Sequence, residues 1–268
     1  MSNGKLKLTS RTFADQLGRE VTLPFPPRRI VSLVPSQTEL LVDLGLSEHV
    51  VGVTKFCVHP PEIRRTAVVV GGTKQVDFAK IAALKPDLII GNKEENDQAV
   101  IEHLATRYPV WLSDISNLPE ALAMIRGVGL LTDTVPAATT LAQQIAASFA
   151  ELNTPTAQES VAYLIWRKPY MAAAAGTFID DMLTRAGFRN ALAHLSRYPQ
   201  VTPAQLAAAA PPRILLSSEP YPFTEKHFAE FRQLCPDARI QVVDGELFSW
   251  YGSRLRHTAA YLPTLTRG

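Results

Sequence analysis

The chain has 268 residues, enough for one large domain or for two lobes that each bury a core of their own. Hydrophobic residues make up 46% and charged residues 19%, the balance of a globular rather than a disordered chain. The net charge is +2 and no Lys/Arg run exceeds two residues, which excludes a nucleic-acid stripe, and no apolar run approaches a membrane span.

The opening MSNGKLKLTSRTFADQLG lacks the apolar stretch of a secretory leader. As written the chain reads as cytoplasmic; a removed leader would make it periplasmic or cell-surface. Cys57 and Cys235 lie far apart with no CxxC or His-rich context, and both are expected as free thiols.

In chain order, RIVSLV (29–34) is a β-branched strand and SQTELLVDLG (36–45) a helix, with Leu40, Leu41 and Leu44 at helical spacing and Gly45 at the C-cap. VVGVT (50–54), FAKIAALK (78–85), DLIIG (87–91), QAVIEHLATRY (98–108) and VWLSD (110–114) continue the alternation of strand and helix. TVPAATTLAQQIAASFAEL (134–152), rich in Ala, Gln and Leu, predicts a helix with Thr134 as cap and Pro136 in its first turn. At 1.5 Å per residue its length is about 25–28 Å. TPTAQE (154–159) then leads to a second series: strands at 161–166, 213–217 and 239–244, and helices at 177–188, 203–210 and 226–235.

The two series repeat. VDFAKIAALKPDLIIGNKE aligns without a gap on VTPAQLAAAAPPRILLSSE, pairing Val76 with Val201, Pro86 with Pro211 and Glu94 with Glu219 at a constant offset of 125. The fold class is therefore α/β: two Rossmann-like lobes of parallel strands covered by helices, joined by one long helix, with a ligand cleft between them. The divisions are an N-terminal extension over 1–27, a lobe over 28–133, the linker helix over 134–153 and a second lobe over 154–268. Open α/β sheets bind ligands beyond the carboxyl ends of their strands. That places NKEEND (92–97) and SSEPYPF (217–223) at the rims, although ordinary solvated loops would read the same way.

RIVSLVPSQTELLVDLGL, then VVGVTKFCVHPPE, a GGTK turn and KIAALKPDLIIGNKEEN, resembles the helical-backbone substrate-binding proteins of ABC importers. The vitamin B12-binding and ferric siderophore-binding proteins belong to that family, as do carriers of haem. The likeness runs from about Phe13 to Leu265, and DQLGREVTLPFPPRRIVSL resembles the family's N-terminal hairpin. It implies a non-catalytic binding protein with no required cofactor, for which cobalamin or a ferric chelate is the bound ligand. It also implies a monomer that partners an ABC permease, without nucleic acid or membrane insertion.

By position in the family pattern, ligand-binding residues of the first lobe are Pro35, Ser36, Gln37, Phe56, Thr73, Lys74, Asn92 and Glu94. Those of the second lobe are Trp166, Tyr170, Tyr198, Glu219, Glu246, Phe248, Trp250, Tyr251 and Arg254. Aromatic faces would bury a flat macrocycle while amides and hydroxyls meet its peripheral polar groups. Phe248 also suits a core plug, and Arg254 suits a helix cap or a pair with Glu246. Trp250 and Tyr251 are consecutive, so one of them should be exposed. No resident metal is expected; Cys57 and His59 stand two apart in KFCVHPPE, and His59 is the residue nearest to an axial contact with a ligand's iron or cobalt.

Members of the family dock on the permease through one Glu per lobe. The equivalent positions here hold Ala79 and Ala204, again 125 apart. No nucleophile–base set, HExxH, P-loop or GxGxxG appears, so no catalytic residue is expected. The rival reading is a two-lobed Rossmann-type enzyme such as a glycosyltransferase, for which GVGLL (127–131) would have to serve as the nucleotide loop. A signalling or storage protein fits the same residues.

Overall fold

The computed structural model describes residues 9–152 and 158–266. Most of the expected linker TPTAQE, and the first eight residues of the N-terminal extension, lie outside the described residues. The chain divides into two compact units, one comprising residues 1–114 and 120–144, the other 115–119 and 145–268.

The first unit opens with an antiparallel hairpin, β1 (Thr9–Ala14) and β2 (Glu20–Phe25). Its turn is held by Asp15, whose carboxylate accepts from the backbone N–H of Leu17 and Arg19 at 2.9 and 2.8 Å and pairs with the Arg19 guanidinium at 2.7 Å. Then follow β3 (Ile30–Ser32), α1 (Pro35–Asp43), β4 (Val50–Val53), α2 (Ile63–Thr66), β5 (Val68–Val69) and α3 (Phe78–Leu84). The unit continues with β6 (Leu88–Asn92), α4 (Gln98–Ala105), β7 (Val110–Ser113) and α5 (Leu118–Thr132). The strands form a parallel sheet in the order β5-β4-β3-β6-β7. Apolar residues of its strands, among them Val31, Ile89, Val110 and Leu112, pack with Ile81, Ile101 and Leu104 of α3 and α4.

The helix α6 (Val135–Ala150) starts one residue after Thr134 and carries the chain from the first unit into the second. Its sixteen residues rise about 24 Å. Thr134 Oγ1 lies 2.9 Å from Thr132 Oγ1.

The second unit contains β8 (Glu159–Trp166), β9 (Tyr170–Ala172), α7 (Phe178–Arg185), β10 (Phe188–Asn190), β11 (Gln200–Val201) and α8 (Pro203–Ala209). It ends with β12 (Arg213–Ser217), α9 (Phe228–Leu234), β13 (Arg239–Val243), α10 (Glu246–Ser249) and α11 (Leu255–Tyr261). Its sheet runs β11-β9-β8-β12-β13, with β10 also paired to β8. The β8, β10, β12 and β13 pairings are parallel, whereas β9 and β11 are antiparallel additions of two or three residues. Such short strands carry no period-2 signal, which is why the sequence reading lacks them.

The repeat is exact in the backbone. Shifting α3 and β6 by 125 residues gives the bounds of α8 and β12. The caps correspond as well: Asp77 accepts from the Lys80 N–H and Thr202 from the Gln205 N–H. Both helices end on a left-handed residue before proline, Lys85 at φ 47° and Ala210 at φ 41°.

Candidate functional site

In each unit the order of strands places a topological switch point at the first strand of its parallel series. The chain leaves β3 for β4 on one side and later returns to β6 on the other; β8 stands likewise between β10 and β12, both parallel to it. Loops at the carboxyl ends of such strands are the favoured ligand positions of open α/β sheets.

In the first unit, β3 leads into the first turn of α1, where Pro35, Ser36 and Gln37 are all buried. Strand β6 leads into NKEEND, whose exit from the core depends on two asparagines. Asn92 Oδ1 accepts from the backbone N–H of Glu94 and Glu95 at 2.8 and 3.1 Å, closing a turn made by a side chain. Asn96 Oδ1 accepts from the Asn92 N–H at 2.8 Å, and Asn96 Nδ2 donates to Leu33 O and Thr73 O at 3.2 and 2.9 Å. Gly91 permits this approach, because a Cβ there would lie 2.7 Å from Asn96 Oδ1 and 2.9 Å from Leu112 Cδ2. Asn92 Nδ2 and Gln37 Nε2 both donate to Ser113 Oγ at the end of β7.

Lys74, exposed, donates from Nζ to Glu94 O at 2.5 Å and ties the GGTK turn to the same loop. Phe56 is 49% exposed, with Lys55 Nζ 5.0 Å from its ring centre. The structure thus brings Gln37 and Asn92 together on Ser113, and Thr73, Lys74 and Glu94 together around Asn96. His59 is half-buried. The Cys57 thiol is buried among Thr38 and Thr54 hydroxyls at 3.1 and 3.3 Å, and burial pushes its pKa up. Both cysteines are free thiols.

In the second unit, Ser218, Glu219, Val242, Val243, Asp244 and Glu246 line a recess of about 490 Å³ at the carboxyl ends of β12 and β13. Glu219 is one of its two glutamates. One carboxylate oxygen, Oε1, accepts from Ser249 Oγ at 2.8 Å and from the Trp250 indole N–H at 2.9 Å. Gly245 makes room, since a Cβ there would meet Ser217 Oγ at 2.3 Å and Glu219 Cγ at 2.7 Å. Burial raises the Glu219 pKa, and the neighbouring charges of Glu246 and Asp244 add to the rise against the two hydrogen bonds. Glu246 is paired with Arg254 at 2.9 Å, and the Arg254 guanidinium stands 4.9 Å from the Trp250 ring centre.

Trp250 and Tyr251 are both 6% exposed, against the expectation that one would face solvent. They follow the short α10 in an irregular segment rather than a strand, so consecutive side chains need not alternate between faces. Tyr251 stacks edge-on against Phe178 at 5.8 Å. Phe248 is a core residue packed on Tyr163 at 4.9 Å.

A second group surrounds the β8–β9 connection. Trp166, 38% exposed, meets Tyr221 edge-on at 5.7 Å. Arg167 pairs with Glu230 at 2.7 Å, and the Tyr170 hydroxyl donates to the other oxygen of the same carboxylate. Burial and this bond to Glu230 push the Tyr170 pKa up to about 12. Tyr198 is half-buried just before β11. Ala79 and Ala204 are exposed at the second positions of α3 and α8.

Ser113, Asp244 and Glu230 were not anticipated from the sequence, and Asn96 only as part of the NKEEND loop. Ser113 and Asp244 carry a usable signal, a polar residue closing a buried apolar strand. Asn96 and Glu230 act on neighbours brought close only by the fold.

No described helix is long and apolar enough to cross a membrane. Over 82 residues the chain is 39% identical to YvrC, an ABC transporter substrate-binding lipoprotein of Bacillus subtilis; the match spans 31% of this chain and 26% of that relative. It is 26% identical over 222 residues to the vitamin B12-binding protein of Vibrio cholerae, covering 80% of this chain and 79% of the relative. Among solved structures, a periplasmic haem-binding protein from Pseudomonas aeruginosa superimposes with a TM-score of 0.75 at 24% identity, over 88% of this chain and 91% of that one. The family model described as periplasmic binding protein matches residues 30–234, more than half of the chain, and the chain belongs to that family.

Proposed function

We propose that the chain is a non-catalytic, extracytoplasmic binding protein for a corrinoid or another metal chelate, delivered to an ABC permease. The observation that carries this reading is the Glu219 constellation. The Glu219 carboxylate lies in the wall of an open recess with Asp244 and Glu246, and behind that wall it is held by the Trp250 indole N–H and the Ser249 hydroxyl, with the Arg254 guanidinium over the indole ring. Family membership and the vitamin B12-binding names of several relatives support the corrinoid class. The haem-binding names among the structural neighbours favour haem or a ferric siderophore as the second reading.

The ligand residues are proposed to be those at the carboxyl edges: the α1 turn with Phe56, Lys74 and Glu94 in the first unit, and Trp166, Glu219, Trp250 and Arg254 in the second. Titrating the purified protein with hydroxocobalamin, haemin and ferric chelates, read by absorbance and thermal shift, tests the proposal. Saturable binding of hydroxocobalamin with a raised melting temperature is expected. Stabilisation by haemin alone would move the assignment to the second reading. Stabilisation by a nucleotide sugar in place of all three would favour the glycosyltransferase alternative.

Trp250→Ala is expected to weaken ligand binding at least tenfold, about 1.4 kcal/mol. Trp166→Ala truncates an exposed ring and should weaken binding without loss of fold. Unchanged affinity in both variants, with circular dichroism unaltered, would remove these two aromatics from the site.

A further inference from the structure

The chain passes between its two units three times, at 114/115, 119/120 and 144/145. The third passage lies inside α6, where the hydrogen bonds of a continuous helix keep it stiff. The first two bracket Ile115–Pro119, which belongs to the second unit while Asp114 and Glu120 on either side belong to the first. This excursion starts just past β7 and ends in the first turn of α5, whose leading N–H groups have no acceptor within the helix.

On the first unit, both ends of the excursion meet one side chain. Gln16 Oε1 accepts from the Asp114 N–H at 3.2 Å, and Gln16 Nε2 donates to Glu120 O at 3.0 Å. The amide can face only this way, because a backbone N–H must meet its oxygen and a backbone carbonyl its nitrogen. Gln16 is itself fixed on β7: its own N–H donates to Leu112 O at 3.0 Å, and the Trp111 indole N–H donates to Ala14 O at 3.1 Å. The turn of the β1–β2 hairpin thus presents Gln16 at the point where the chain leaves and returns.

On the second unit, the excursion is held by α7. Asp181 Oδ2 accepts from the Leu118 N–H at 2.7 Å, taking one of the leading donors of α5, and from Arg185 Nε at 2.8 Å. The Arg185 guanidinium in turn stands 5.8 Å from the ring centre of Phe149, in the last turn of α6. Asp181 and Arg185 therefore tie α7 to both stretches by which the chain enters this unit. Ile115 and Leu118 are buried as well.

We propose that Gln16 and Asp181 are the two pins of a joint. Gln16 fastens the ends of the excursion to the first unit and Asp181 fastens its interior to the second, so that Ile115–Pro119 is a short fixed link in addition to the helical one. One link, however stiff, leaves rotation at its ends open; a second fixed link removes it and limits how far the units turn against each other. This restraint exists whatever the ligand is, so it is tested without one.

Spin labels on Ala79→Cys and Ala204→Cys put one probe on each unit at an exposed helix position, while Cys57 and Cys235 stay buried. Pulsed dipolar spectroscopy of the full chain then reads the distribution of distances between the labels. In Gln16→Ala and in Asp181→Ala its width at half height is expected to rise at least about twofold over the parent, because each change frees backbone dihedrals at a passage. Thr12→Val removes the 2.8 Å bond between the Thr12 and Thr22 hydroxyls of the hairpin and touches no passage, so its width should equal the parent's. An unchanged width in either alanine variant, with circular dichroism unaltered, overturns the proposal. Equal broadening in Thr12→Val overturns it too, since the loosening would then belong to the hairpin at large. Where Gln16→Ala fails to fold, Gln16→Glu is read in its place. It keeps an oxygen for the Asp114 N–H and sets a carboxylate against Glu120 O, so the width should still rise, and an unchanged width overturns the proposal equally.

Discussion

Glu219 is a buried carboxylate in the wall of the second unit's recess, held on one oxygen by Ser249 and Trp250. Its raised pKa means that the folded state holds the proton more tightly than the unfolded chain, whose value lies near 4.5. As pH rises from that point the native state binds more protons than the unfolded one, and stability falls. Glu219→Gln keeps an oxygen for Ser249 and Trp250 but carries no charge. The parent should therefore lose stability relative to the variant as pH is raised from about 4.5 to 7, by urea denaturation at each pH. A difference that stays flat with pH would show that the carboxylate is not strained by its surroundings. Glu219 itself was legible in the sequence, because a charged residue just past a buried strand of a parallel sheet has only one edge on which to stand. Its partners were less so. Trp250 bonds to it across thirty-one residues, and nothing in FSWYG states that both of its last two aromatics turn inward.

The helix–strand elements carry the repeat, and with it a shared backbone device. Lys85 and Ala210 end their helices in the left-handed region, where an L residue costs about 1–2 kcal/mol and glycine costs little. The following prolines, Pro86 and Pro211, restrict these residues further. Ala210→Gly is thus expected to stabilise the protein by roughly 0.5–1 kcal/mol after the greater flexibility of glycine in the unfolded chain is discounted. An unchanged or lowered denaturation midpoint would mean that the Ala210 methyl group packs to an advantage that outweighs the backbone cost. The elements themselves were the most readable level, since helical and strand periods mark them; the caps at Asp77 and Thr202 emerged only in the structure. Strands β9, β10 and β11 escaped because two or three residues cannot display a period, and tertiary pairing decides them. The hairpin was expected only from the family resemblance, and the switch from β6 into NKEEND was visible as a polar cluster, but the Asn92–Asn96 exchange that shapes the latter is a product of the fold.

For the whole molecule, the resemblance and the repeat agree on what a transport role requires. A carrier must present something to its permease, and complementary charge at such a contact sets encounter rate and register. The positions that the family resemblance assigns to docking are Ala79 and Ala204, both exposed and both two residues past a helix N-cap. A carboxylate at the second position of a helix is favoured by the helix dipole, so introducing one there costs the fold little. We propose that the chain docks weakly, or through other residues, because these two charges are missing. Asp77, two residues before Ala79, is aimed differently. Asp77 is spent on the Lys80 N–H and stands 3.9 Å from the Lys80 ammonium, aimed along the helix start rather than outward from Ala79. The double variant Ala79→Glu with Ala204→Glu should bind an importer permease carrying Arg pockets at least tenfold more tightly than the parent in nanodiscs. That gain should shrink as ionic strength rises. Each single variant should recover part of it, since the two contacts lie on separate units. Equal affinity of parent and double variant would place the docking determinants elsewhere on the surface.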